Sequence, residues 1–369
     1  MPHLAFIVPS LGSGGAERAV ANLASALAAR GRRVTVFTLR TGGAYEAAIN
    51  PSVEIVNLGL SNARKIMGPL AREVRARQID IVFSALFHLD FYTLLSRWLY
   101  GWKAKVVLCF QNTPSVVAHQ SASSSERLLM RLYRRSARHA DHYFAISLGV
   151  AEDASTFFGV PLDGITVIPN PIIDPSAPAP QPRDLRALFD EHHRKILIAS
   201  GRLTKQKDYP TLLAAFAEVR RHWDVGLVIL GEGELRDRLD GILADLGLTH
   251  SVYFAGFQQN PLDWMAGADL FVLSSLWEGL ANVVVEALWI GLPVVSTDCP
   301  HGPREILEEG RLGRLSPVGD AAALSSTIAA ALGAEFDAQA GRRRALDFSI
   351  NSIADRYDDA LKLSGRHGT

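Results

Sequence analysis

Four side chains in the second half of the chain have types and spacings suited to a phosphorylated, hydroxyl-rich ligand. Arg202 and Lys207 stand in ASGRLTKQKDY, and Glu278 and Glu286 in LWEGLANVVVEALWIGLPVVSTD. A guanidinium fork and a compact ammonium are donors that suit a diphosphate, although two solvated surface cations would look the same by spacing alone. Glu286 is flanked by Val283, Val284, Val285, Ala287 and Leu288. A buried, unpaired carboxylate is costly, so it calls for a basic side chain, a backbone amide or ligand hydroxyls. A carboxylate there can accept both hydrogens of a ribose diol, and Glu278, on the loop before, can bind sugar hydroxyls. Complementing a helix dipole would contribute at most about 1 kcal/mol and would leave Glu278 unexplained.

The elements that must position these groups alternate along the chain. Short apolar runs such as LAFIVP, RVTVFTL, DIVFSAL, KVVLCFQ, HYFAIS and GITVIPN suit parallel strands covered on both faces. Helical spacing of Ala19, Val20, Leu23, Ala26 and Leu27 follows the first of them. NPIIDPSAPAPQPRD then carries prolines at 171, 175, 178, 180 and 182, a density that reads as an extended linker. The pattern restarts with KILIAS, VGLVILG, VYFAG, DLFVLSS and LPVVSTD. The expected fold is α/β, with two doubly wound Rossmann-like domains facing a cleft. The expected boundaries are 1–171 for the N-terminal domain, 172–194 for the linker and 195–348 for the C-terminal domain. Residues 349–369 form a C-terminal helix expected to return to the N-terminal domain.

Glycines recur where these strands end. Gly14 and Gly15, in PSLGSGGAER, let backbone approach a phosphate at a helix N-terminus. Gly201 follows KILIAS, Gly233 follows VGLVILG, and Gly256-Phe257 ends VYFAG, where exposed backbone can bond a base edge. Together they point to a nucleotide bed. Gly279, Leu280, Ala281 and Asn282 make the turn into a helix expected to start near Val283, with Asn282 as N-cap.

The bulk numbers bound the function. Of the 369 residues, 38 are Lys or Arg and 38 Asp or Glu, so the formal net charge is zero. That argues against a globally electrostatic nucleic-acid binder. Cys109 and Cys299 form no CxxC pair, so neither a disulfide framework nor a zinc site is expected. MPHLAFIVPSLGSGG lacks a basic n-region, and no run approaches a membrane span; the greasy FYTLLSRWLYGW is short and interrupted by Arg97. A cytoplasmic protein is expected.

EGLANVVVEALWIGLPVVSTD, GRLTKQKD upstream and GSGGAE near the N-terminus together resemble the family 4 retaining glycosyltransferases of GT-B fold. DCPHGPREIL is similar to a bacterial subgroup that mostly uses UDP-sugars and builds surface or lipid-linked glycans. The resemblance implies that Arg202 and Lys207 hold the diphosphate and Glu286 the ribose. It implies that Glu278 and the amides from Gly279 to Asn282 hold the transferred sugar, with Gly14 and Gly15 approaching from the other domain. No metal and no cofactor are implied, because the nucleotide-sugar is a substrate and the cations and helix dipole replace the metal. Family members often carry a histidine after the fourth strand of the N-terminal domain. Here Asn112 sits at that place, with His119 and His88 as the alternatives.

The implied partners are a UDP-sugar donor and a glycan or lipid-linked acceptor. SSERLLMRLYRRSARHADHYF adds Arg127, Arg131, Arg134, Arg135 and Arg138 beside Leu128, Leu129, Leu132 and Tyr133. Such a basic amphipathic helix can lie on an anionic membrane, or be a solvated helix packed on its domain. Two rival functions stay open: an NAD(P)-dependent oxidoreductase of tandem Rossmann type, and a non-catalytic sugar-binding protein. The first lacks a G-x-G-x-x-G fingerprint, and its second strand ends at Leu39-Arg40 rather than an acid.

Overall fold

The computed structural model describes residues 1–12, 14–120, 124–190 and 194–364. They divide into two compact units, one of Met1–Ile172 with the chain from Ser349, the other of Ile173–Phe348.

In the first unit the strands are β1 (Leu4–Val8), β2 (Val34–Thr38), β3 (Glu54–Asn57), β4 (Ile81–Ser84), β5 (Lys105–Phe110), β6 (His142–Ala145) and β7 (Ile165–Val167). Among the described residues they form one parallel sheet in the order β3-β2-β1-β4-β5-β6-β7. Every residue of β1, β2 and β4 is buried, which is why they read as continuous apolar runs. Strand β3 escapes that reading: Glu54 and Asn57 are exposed at the sheet edge, and Glu54 pairs with Arg77 at 2.9 Å. Helix Gly15–Ala29 buries Ala19, Val20, Leu23 and Leu27 against this sheet. Helix Ile350–Ser364 adds Ile353, Ala354, Tyr357 and Leu361 to the same core. The Tyr357 ring packs on Phe83 and Phe144, and Arg32 holds Asp358 at 2.6 Å.

The second unit has β8 (Lys195–Ser200), β9 (Val225–Leu230), β10 (Val252–Gly256), β11 (Leu270–Leu273), β12 (Val294–Thr297) and β13 (Arg314–Ser316). Its described strands form a parallel sheet in the order β10-β9-β8-β11-β12-β13. Strand β13, three residues long, has no apolar run to announce it. Strand order reverses between β1 and β4 and again between β8 and β11. Doubly wound sheets bind ligands outside the carboxyl ends of strands at such points.

The Pro-rich stretch after Ile173 is bound down on the second unit. Gln181 N–H donates to Asp263 Oδ1 at 2.7 Å, Arg183 stacks over Trp264 at 4.6 Å, Leu185 is fully buried, and Arg186 pairs with Asp269 at 2.9 Å. Proline removes amide donors without forbidding the side chains between from packing.

Candidate functional site

At the end of β8 the chain turns through Gly201 and Arg202, and at the end of β11 it enters Ser274-Ser275-Leu276-Trp277-Glu278. Lys207 and Glu278 meet across these two loops: Nζ lies 2.6 Å from Oε1, with side chains 15% and 8% exposed. Ser275 Oγ donates to the same Oε1 at 2.6 Å, and Gln206 Nε2 lies 3.4 Å from Oε2. The loops are tied as well as paired. Ser274 Oγ donates to the Lys207 carbonyl, Thr297 Oγ1 to the Ser275 carbonyl, and Leu276 N–H to the Gln206 carbonyl. The Tyr209 hydroxyl donates to the Gly201 carbonyl at 3.0 Å, and burial, with Glu278 nearby, raises that phenol's pKa. Burial and the same carboxylate push the Cys299 thiol up to about 12, so it stays protonated and is no nucleophile. Arg202 is exposed. An ammonium has three donors, so Lys207 can hold Glu278 and still donate to a phosphate.

The turn before Glu286 differs from expectation by one residue. Helix Asn282–Ile290 starts at Asn282, and Ala281 is the N-cap, with φ 68° and ψ 61°. Asn282 is thus the first helical residue rather than the N-cap, and the left-handed Ala281 turns the chain before it. A non-glycine residue there costs on the order of 1–3 kcal/mol, a strain that accumulates at functional sites. The turn is wedged from below: a Cβ on Gly302 would collide with the Leu280 carbonyl, and Glu278 N–H reaches the Pro300 carbonyl at 3.2 Å. Glu286 sits just past the first helical turn and is 3% exposed.

The glycine-bearing strand ends are present, for differing reasons. A Cβ on Gly233 would lie 2.5 Å from the Leu203 carbonyl oxygen, so glycine lets these two loops touch. Gly256 accepts from Gly231 N–H at 2.8 Å. The Phe257 ring is 40% exposed, while its amide points at Glu232 Oε1 at 3.4 Å rather than standing free for a base. In the first unit Gly14 is the N-cap of helix Gly15–Ala29, and the Glu17 carboxylate folds back against it. That helix end therefore already faces an anion of its own, which an incoming phosphate would have to displace.

The three candidates for the missing histidine separate. His119 is exposed, with Nδ1 2.7 Å from the Ser115 carbonyl one turn back. His88 packs its ring edge-on to Phe87, and burial lowers its pKa. Asn112 follows the fifth strand rather than the fourth, because the half-solvated β3 adds one to the count, and His88 is the candidate that comes after the fourth; Asn112 lines a cavity of about 60 Å³ at the carboxyl ends of β4 and β5. A second residue there was missed from sequence. Asp90, 2% exposed, accepts from the Tyr133 hydroxyl on Oδ2 at 2.8 Å, while Oδ1 has no hydrogen-bond partner. Burial, opposed by Ser84, Tyr133 and the Leu86 backbone, pushes its carboxyl up to about 6. The signal was in FHLDFYTLL, a carboxylate amid apolar helix residues, the same pattern that singled out Glu286.

Helix Ser124–Ser136 buries Met130 and Tyr133 and leaves Leu128 and Leu132 exposed beside Arg127, Arg131, Arg134 and Arg135. Arg138 is spoken for: its Nε donates to the Phe158 carbonyl at 2.7 Å, at the end of helix Leu148–Phe158. The neighbouring helix Phe87–Tyr100 adds exposed Trp98, Leu99 and Tyr100. Among the described residues no helix is long and apolar enough to cross a membrane, and no group of three or more His, Cys, Asp or Glu is placed to hold a metal.

Comparison with known proteins adds a second line of observation. Residues 13–174 match the model "Glycosyltransferase Family 4", and residues 194–333 match "Glycosyl transferases group 1". A Campylobacter jejuni protein, N-acetylgalactosamine-N,N'-diacetylbacillosaminyl-diphospho-undecaprenol 4-alpha-N-acetylgalactosaminyltransferase, is 30% identical over 334 residues, 86% of this chain and 87% of that one. An uncharacterized glycosyltransferase of Methanocaldococcus jannaschii is 43% identical over 129 residues, but these span 35% of this chain and 31% of the relative. Among solved structures, an Anabaena protein in complex with UDP and glucose superposes with a TM-score of 0.75 at 22% identity, covering 98% of this chain and all of that one.

Proposed function

We infer the reaction from one premise: this chain belongs to glycosyltransferase family 4 and has the GT-B fold. The reading is a retaining transferase that moves a sugar from a nucleotide-diphosphate donor, a UDP-sugar, to a glycan or lipid-linked acceptor. The observation that carries it is the Lys207–Glu278 pair, built where β8 and β11 diverge, with Glu286 in the helix that follows. The UDP in the Anabaena structure and the undecaprenol-linked acceptor named for the Campylobacter relative support the two substrate classes.

Arg202 and Lys207 bind the diphosphate, Glu286 the ribose, and Glu278 with the Gly279–Asn282 turn the transferred sugar. The acceptor oxygen bonds to the anomeric carbon on the face from which the diphosphate oxygen departs. The acceptor proton passes to that departing oxygen. Negative charge grows on the diphosphate, where Arg202, Lys207 and the amides of the helix start meet it, which is electrostatic catalysis without a protein nucleophile. On this reading the cations do the work of a metal, and activity survives EDTA. A transferase silenced by EDTA and restored by manganese would overturn that part. The exposed Trp98–Tyr100 segment and the Arg127–Arg135 face support peripheral membrane contact, which suits a lipid-linked acceptor.

Isothermal titration with UDP and with NAD tests the core of the reading. UDP should bind and NAD should not. Binding of NAD alone would restore the oxidoreductase.

A further inference from the structure

The cavity beside Asp90 is not used by the chemistry above. It lies wholly within the first unit, at the carboxyl ends of β4 and β5. Its walls include Phe87, Phe110, Pro114, Val117 and Met130, and its polar feature at depth is Asp90 with a partnerless Oδ1. A buried oxygen without a partner is uncommon in native proteins and asks for a donor. The walls ask for an apolar remainder. A water-sized atom needs about 10–15 Å³ of such space, so the cavity accommodates roughly four to six non-hydrogen atoms.

We propose that this pocket takes the acetamido group of an N-acetylamino sugar in the acceptor. The group has four non-hydrogen atoms beyond its ring carbon. Its N–H donates to Asp90 Oδ1, its methyl packs on Val117 and Met130, and its carbonyl faces Asn112, an exposed amide donor on the lining. A bare hydroxyl would satisfy Asp90 and leave most of the apolar wall without contact. An ammonium would pair with the Asp90 carboxylate but, like the hydroxyl, would leave most of the apolar wall without contact. The Tyr133 hydroxyl fixes the carboxyl plane by holding Oδ2. The proposal rests on the transferase reading for its word acceptor, but the pocket's preference is testable without turnover.

The test uses the full chain and the methyl glycosides of N-acetylgalactosamine, N-acetylglucosamine, galactose, glucose and galactosamine. Saturation-transfer NMR should show the acetyl methyl as the most strongly saturated ligand proton. The N-acetyl glycosides should bind at least tenfold tighter than the others. Val117→Phe, which fills the pocket, should abolish this binding. Asp90→Asn should weaken it at least fivefold, because an amide holding Tyr133 through its oxygen turns its NH₂ towards the ligand N–H. Circular dichroism confirms folding, and UDP titration of each variant should match the parent. Plain hexosides or galactosamine binding as tightly, no binding by any N-acetyl glycoside, or N-acetyl binding that survives Val117→Phe each overturn the proposal. Loss of UDP binding in the parent overturns the transferase reading instead, and leaves the NMR result to decide the pocket.

Discussion

Two buried carboxylates, Glu278 and Asp90, follow the ends of sheet strands in the two units, and they are treated in opposite ways. Glu278 has an ammonium, a serine hydroxyl and a glutamine amide around it. Asp90 has one phenol at hydrogen-bond distance, Ser84 and the Leu86 backbone close by, and an oxygen left over. The first is ringed by donors. The second is held near the boundary between charged and neutral. The contrast teaches that burial alone does not say what a carboxylate is for; its donors do. A fully paired carboxylate is part of a preorganised frame, whereas an incompletely paired one has capacity for something more.

The largest effect should come from breaking the frame. Removing one member of a buried ion pair costs about 3–5 kcal/mol, because the other charge stays buried and alone. Lys207→Ala should lower the urea midpoint accordingly and weaken UDP binding. Lys207→Met with Glu278→Leu should recover at least half of the lost stability. A single variant as stable as the parent would show that the pair is not desolvated.

Asp90 gives the next largest effect, with the opposite dependence on charge. Its pKa rises on folding from 3.8 to about 6, so the folded chain keeps a proton that the unfolded chain releases in between. The stabilisation is complete below pH 4 and is lost as pH rises through 6, by about 3 kcal/mol. The titratable neighbours Tyr133 and Cys109 are both shifted upward and stay neutral across this window. Asp90→Asn should flatten the fall in stability between pH 4 and 6 in urea titrations. A variant that tracks the parent across that range would contradict the assigned shift.

Glu286→Ala should weaken UDP binding by about 1.5–3 kcal/mol, the worth of hydrogen bonds to a charged group. Calorimetry showing unchanged affinity, with the fold intact, would remove Glu286 from the ribose site. The smallest effects lie on the surface, where charge is solvated on both sides of the comparison. Arg127→Gln, Arg131→Gln and Arg135→Gln should each cost about 1 kcal/mol of binding to liposomes rich in anionic lipid. Trp98→Ala should weaken the salt-resistant part. Wild type that ignores such liposomes at low salt would make these two helices a solvated face.

Much of this was legible from residue order. Continuous apolar runs gave the buried strands, and Lys207 and Glu278 mark the two loops that the structure ties together. What escaped has physical reasons. Strand β3 is half solvated and β13 is three residues long, so neither carries an apolar pattern. The hydroxyls of Ser274, Ser275 and Thr297 bond across turns that no sequence window spans. Chemical preference points to Asn282 as the cap, but the turn demands left-handed backbone one residue earlier, at Ala281. Asp90 has apolar flanks like those of Glu286, but no second acid follows it at a telling distance to mark it out.

The helix Ile350–Ser364 has a consequence for the order in which the protein is made. It completes a core begun at Leu4, yet everything from Ile173 to Phe348 is translated in between. At about 5–20 residues per second, that interval lasts roughly 10–35 s. For that time the faces of β1, β4 and β6 that receive Tyr357 lie open on a nascent chain, while the second unit can close around residues already emerged. The part synthesised first is thus finished last. Premature termination before Ile350 would release a chain with an uncovered apolar sheet, a natural client for a chaperone or a protease.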